Sequence, residues 1–124
     1  MINKNKKILH FEDTTVWQDS VTLSVLIYEL TKRFPAEEKY GIVNQVCRSA
    51  NSVSANLAEG FGRMGVKEKT QFYSIAYGSL LETKSFLYLS RELGFCSDIS
   101  SLVTHITSLQ KQINAIKASI KDKK

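Results

Sequence analysis

Branched apolar residues recur along the last quarter of this chain with a regularity that leaves few folds open. Ile99, Leu102, Ile106, Leu109, Ile113, Ile116 and Ile120 follow one another at steps of three, four, three, four, three and four. A side chain returns to the same side of an α-helix at these intervals, so the pattern is a heptad seam sustained for three repeats. Such a stripe must be covered by other apolar surface. Taken alone it serves a bundle core or a coiled coil with another chain equally well. Ser97 or Asp98 supplies the expected N-cap.

The rest of the chain supplies the cover. Val16, Trp17, Val21, Leu23, Leu26, Ile27, Leu30 and Phe34 predict a helix over 15–34 that Pro35 stops. Residues 35–41 form a connection with room for one helical turn. A second helix is expected from about Ile42 to Glu59, ended by the glycines of GFGRMG, Gly60, Gly62 and Gly65. A third is expected from Val66 or Lys67 to Leu93, with Phe72, Ile75, Ala76, Leu80, Phe86, Leu87 and Leu93 inward and Gly94 just past its end. No segment alternates like a strand. The expected fold is all-α, one domain over 1–124, an antiparallel up-down-up-down four-helix bundle.

The second helix is unusual. The stretch RSANSVSANLAEGFGR, Arg48 to Arg63, sets serines, alanines and asparagines where a bundle helix normally carries large residues. The third helix repeats the theme with Ala76, Gly78, Ser79, Thr83 and Ser90. Small side chains let helix axes approach toward the short end of the usual ~8–10 Å. The polar strips predict a tight contact with a hydrogen-bonded edge; the competing reading is a solvated polar face. Arg48–Glu59 or Arg63–Glu82 are expected as buried pairs that serve specificity more than stability.

Charge is concentrated at the ends. Of the formal net charge of +5, Lys4, Lys6 and Lys7 contribute +3, and Lys117, Lys121, Lys123 and Lys124 less Asp122 another +3, leaving −1 on residues 8–116. The basic tails, about 1–7 and 117–124, and the turn bearing Arg63, Lys67 and Lys69 are therefore the expected nucleic-acid contacts. Solubilising tails are the competing reading. Cys47 and Cys96 match neither a disulfide framework nor a CxxC site, which points to reduced thiols and a cytoplasmic protein. The N-terminal stretch lacks the apolar run of a signal peptide, and VLIYEL is too short to cross a bilayer. A soluble protein is expected, with no membrane partner.

Signatures of catalysis are missing. His105 has no carboxylate or cysteine three or four residues away, so a helical metal pair is not formed. GFG and GRMG lack the lysine of a phosphate loop. Glu59 and Glu82 could meet across two helices, but the Glu-x-x-His of di-metal bundles is absent. The expectation is a protein with no catalytic residue, metal, cofactor or small-molecule substrate.

The segments FPAEEKYGIVNQVCRSANSVSANLAEGFGR and FYSIAYGSLLET closely resemble the four-helix-bundle family encoded in intervening sequences of bacterial 23S ribosomal RNA genes. The match falls on Glu38, Tyr40, Gly41, Gln45, Arg48, Ser52, Ala55, Asn56, Ala58, Glu59, Gly60, Gly62 and Arg63. It continues on Ile75, Ala76, Gly78, Ser79 and Glu82. Ser54 stands where the family usually has proline, which predicts a straighter second helix, and Gly65 where it usually has serine or threonine. The resemblance implies a homopentamer of bundles without enzymatic activity. It also implies likeness to the accessory variability determinant of diversity-generating retroelements, which works with a reverse transcriptase and nucleic acid. The resulting expectation is a non-catalytic oligomer that associates with structured RNA or a ribonucleoprotein. The alternative is a scaffolding module without nucleic acid, such as an accessory subunit to a reverse transcriptase. On either reading Gln45, Arg48, Ser52, Asn56, Glu59, Gly60, Gly62, Arg63, Gly78, Ser79 and Glu82 form the structural and assembly motif.

Overall fold

The computed structural model describes residues 8–122, Asp122 by its backbone alone. Lys4, Lys6, Lys7, Lys123 and Lys124 lie outside the described residues. These fold into a four-helix bundle without strands: α1 (Thr15–Thr31), α2 (Ile42–Gly62), α3 (Val66–Glu92) and α4 (Ser100–Asp122). Short 3₁₀ turns at Phe11–Asp13 and Ala36–Glu38 precede α1 and α2.

Local chemistry sets the helix ends. Thr14 opens α1 by accepting the Trp17 amide at 3.3 Å, satisfying an amide that has no partner inside the helix. α3 closes in a Schellman turn. Phe95 N donates to Ser90 O and Gly94 N to Arg91 O, both at 3.0 Å, and Gly94 takes the left-handed φ of 81° that this turn requires. Phe95 then packs its ring on Phe34 at 5.5 Å, fastening the α3–α4 turn to the end of α1. Asp98 Oδ1 accepts from Ser100 N at 3.0 Å and Ser100 Oγ at 2.7 Å, so α4 begins two residues after this carboxylate. Those bonds to its charged form hold the Asp98 carboxyl below its ordinary range.

Every helix contributes to one core. Leu23 and Ile27, Val46 and Val53, Leu80 and Leu87, and Ile106, Leu109 and Ile113 are all buried from water. Burying one such side chain contributes about 1.5–3 kcal/mol. The α4 seam is inward from Ile99 to Ile113 and only half-buried at Ile116 and Ile120, where the helix nears its end. Two polar links fix α4 against α1: His105 Nε2 donates to Asp19 O at 2.8 Å, and Gln112 Nε2 to Asp19 Oδ2 at 2.9 Å.

Three expectations need correction. α2 runs on to Gly62 rather than stopping at Glu59, because Gly60 and Gly62 stay helical and the chain first leaves the helix at Arg63. The inward face of α3 is also rotated from the one its large apolar residues suggest. Tyr73, Ala76, Ser79, Leu80, Thr83, Leu87 and Ser90 are buried, whereas Ile75 and Leu93 are exposed. On α1, Leu26 likewise lies outside the core.

Candidate functional site

α2 and α3 make the most extensive helix contact of the molecule, and hydroxyl groups hold it in register. Ser49 Oγ and Thr83 Oγ1 share a hydrogen bond of 2.8 Å, Ser79 Oγ donates to Ser52 Oγ at 2.9 Å, and Asn56 Nδ2 donates to Ser52 Oγ at 3.0 Å. Each buried hydroxyl also donates to, or lies within bonding distance of, a carbonyl one turn back: Ser49 with Val46 O, Ser79 with Ile75 O, Thr83 with Ser79 O. The seam is thereby satisfied without water, as burial of polar groups requires. Ser24 Oγ on α1 is a buried oxygen that finds no partner.

Gly60 explains how the backbones come so close. A Cβ there would lie 3.1 Å from both Phe72 Cβ and Tyr73 Cε1. Its role is close approach, not the helix stop read from the sequence. Nothing stands within 4 Å of where a Cβ would be at Gly62, Gly65 or Gly78. Gly78 thus sits on open surface.

Of the motif residues, Gly60 and Ser79 are buried in this contact, Ser52 and Asn56 are half-buried at its edge, and Gln45, Arg48, Glu59, Gly62, Arg63, Gly78 and Glu82 are exposed. Gln45, Arg48, Ser52, Asn56, Glu59 and Arg63 succeed one another every three or four positions and so line one strip of α2. Ile75, Gly78, Glu82 and Leu89 form the adjoining strip of α3, and the Ser52–Ser79 bond joins the two. Ile75 is 43% and Leu89 47% exposed. Arg48 and Glu82 are exposed and have no ion-pair partner among the described residues.

This placement overturns the buried pairs. Glu59 bonds Arg63 one turn along its own helix at 3.0 Å, and both side chains are about half exposed. Arg63 also reaches Glu68 at 3.8 Å and lies over the Phe72 ring at 5.0 Å. Glu82 forms no ion pair with Arg63, and Arg48 none with Glu59. The i, i+4 spacing of Glu59 and Arg63 was the sequence signal for the pair that does form.

Of the expected phosphate contacts, Lys69 is diverted. Its Nζ donates to Gly60 O at 3.1 Å and Phe61 O at 2.8 Å, capping the carbonyl end of α2, where a cation is favoured. Partial burial lowers its ammonium below the ordinary lysine range. Lys67 and Lys121 remain exposed and line one groove with Val66, Thr70, Gln71, Ser74 and Ile75. Lys117 is half-buried one turn earlier on α4.

No group of three His, Cys, Asp or Glu stands together as a metal site among the described residues. Cys47 and Cys96 are free thiols that burial pushes above their ordinary pKa. Among the described residues, no helix is long and apolar enough to cross a membrane. Phe11 lines an open groove with Ala55, Ala58 and Gly62.

Fold and surface together define a class: a small helical bundle whose patterned residues are gathered on an outer face and not around a pocket. The family model of the 23S rRNA-intervening sequence protein matches residues 12–115, and the chain belongs to that family. The structure is also similar to the 1.70 Å crystal structure of a protein of unknown function from the S23 ribosomal protein family of Bacteroides thetaiotaomicron. The TM-score is 0.76 at 24% identity, over 83% of this chain and 98% of that one. No curated protein matches.

Proposed function

We propose that this protein is a non-catalytic module that self-assembles through the outer face of α2 and α3, and that the assembly associates in the cytoplasm with structured RNA or a ribonucleoprotein. The exposed strip on α3 carries the first part. Ile75 and Leu89 leave apolar surface in water, Gly78 lets another helix approach, and Arg48 and Glu82 are charged groups of opposite sign awaiting partners. A second copy supplies both the apolar cover and the opposite charges. Within each copy, the contacts Ser52–Ser79 and Ser49–Thr83 pair rising with falling residue numbers, which supports the antiparallel up-down-up-down order. Five copies is the number that the family resemblance implies.

The RNA part rests on family membership and on the lysines at the chain ends. The second reading, a scaffold without nucleic acid, such as an accessory subunit to a reverse transcriptase, is favoured by one observation. Arg63 and Lys69, two of the three basic residues at the α2–α3 turn, are engaged within the chain itself. Replacing both Ile75 and Leu89 with glutamate tests the assembly face. The expected result is a folded protomer, helical by circular dichroism, that sediments as a monomer. A variant that assembles like the parent removes this face from the account.

A further inference from the structure

The charge of the folded helices is divided across the bundle. α1 and α2 carry one Arg against three Asp and Glu, whereas α3 and α4 carry seven Lys and Arg against four Asp and Glu. One flank of the α3–α4 pair concentrates the excess. Lys121 of α4 shares a groove with Thr70 and Ser74 of α3, which fixes the sides on which these two helices adjoin. Steps of three and four carry the α3 strip on from Ser74 through Tyr77, Leu81, Lys84 and Tyr88 to Arg91. The same steps carry the α4 strip back from Lys121 through Lys117 to Thr107 and Val103, which share a second groove with Lys111. Neither strip holds an Asp or Glu.

The flank is cationic and aromatic. Lys84, Lys111 and Lys117 form no ion pair among the described residues. The Arg91 guanidinium lies over the Tyr88 ring at 5.0 Å, and its contact with Glu92 at 3.5 Å is exposed and therefore weak. Tyr88 is 38% exposed and Leu81 50%, which leaves flat apolar surface between the cations. Tyr77, Leu81 and Tyr88 each stand one residue before Gly78, Glu82 and Leu89 of the assembly strip, and so about 100° round α3 from it. The two faces share no residue.

We infer that this flank binds single-stranded RNA, with Tyr88 and Arg91 stacking on unpaired bases and Lys84, Lys111 and Lys117 taking the phosphates alongside. Unpaired bases offer flat faces to tyrosine rings and guanidinium planes, while cations follow the backbone. The inference rests on the RNA reading above and directs it to the unpaired loops of a structured RNA. Every base has a face that stacks, so the binding is tolerant of sequence.

Fluorescence anisotropy of a short labelled RNA, single-stranded or annealed to its complement, tests the flank when titrated with the full chain across a salt series. The parent should hold the single strand more tightly than the duplex, whose bases are stacked on one another. Tyr88→Ala should weaken binding of the single strand by about fivefold or more, the factor that one lost base stack gives, and leave the log–log salt slope unchanged. Lys84→Gln with Lys111→Gln should reduce that slope by about 0.7 for each lysine lost. Tyr40→Ala with Lys39→Gln removes an exposed tyrosine–lysine pair in the α1–α2 connection and should bind like the parent. If Tyr88→Ala loses its helicity by circular dichroism, the lysine variant decides. If the parent binds the single strand and the Tyr88 and lysine variants match it, or the Tyr40 variant loses binding instead, the flank is wrong while the RNA reading stands. A preference for the duplex would also overturn the flank. So would flank variants that sediment differently from the parent, since the flank would then be an interface between copies. If the parent binds neither single strand nor duplex at low salt, the RNA reading fails and takes the flank with it.

Discussion

The α2–α3 contact and the seam of α4 are both buried, yet they are built from opposite materials. α4 faces the core with Ile99, Leu102, Ile106, Leu109 and Ile113, and among the described residues only His105 and Gln112 bond across to α1. α2 and α3 meet through Gly60, Ser49, Ser52, Ser79 and Thr83, with the backbones close enough that a methyl group at Gly60 would crowd Phe72 and Tyr73. Large apolar residues tolerate small shifts along the helix axis, since one methyl contact replaces another. Hydroxyl pairs do not, because a displaced Ser49 breaks the bond between the helices and leaves Thr83 only the Ser79 carbonyl of its own helix. Burial volume supplies the stability of the first contact, and hydrogen-bond geometry supplies the register of the second.

Four substitutions sharpen that contrast. Ile106→Ala, at a site with no exposure, should cost about 2–5 kcal/mol in chemical denaturation, the range for a large aliphatic deletion that leaves a cavity. A cost below 1 kcal/mol would mean that α4 is loosely seated. Thr83→Val keeps the shape and removes the hydroxyl, so it should cost about 1 kcal/mol, the net worth of a typical hydrogen bond. Adding Ser49→Ala should cost less than the two single changes summed, because the bond is already lost. Strict additivity would deny the shared bond. Glu59→Gln should change stability by less than about 1 kcal/mol, as expected for an exposed ion pair. A loss of several kcal/mol would mean that assembly buries Glu59.

The two contacts were not equally legible in the sequence. The α4 seam can be read directly because its period and its residue type agree. On α3 they disagree: Ile75, Leu89 and Leu93 are apolar but exposed, while Ser79, Thr83 and Ser90 are polar but buried. Hydroxyls bonded to a carbonyl on their own helix enter a core at low cost, and no one-dimensional pattern reveals which carbonyl is in reach. Gly60 is ambiguous for a related reason. A glycine near a helix end reads as a stop, and only the Phe72 Cβ and the Tyr73 ring across the turn show it to be a contact. Lys69 reads as a free cation until its ammonium is seen on the carbonyls of Gly60 and Phe61, nine and eight residues back. The strip from Gln45 to Arg63 was visible as a motif, but its position outside the bundle depends on how α2 is rotated against α3.

That outer strip carries the central claim, that the face left open by α2 and α3 is covered by further copies of the chain. Light scattering coupled to size exclusion at micromolar concentration measures it most directly. The account predicts a single species several times the 14.0 kDa protomer, with five copies the number that family membership favours. A species at 14.0 kDa that persists as concentration rises would contradict it.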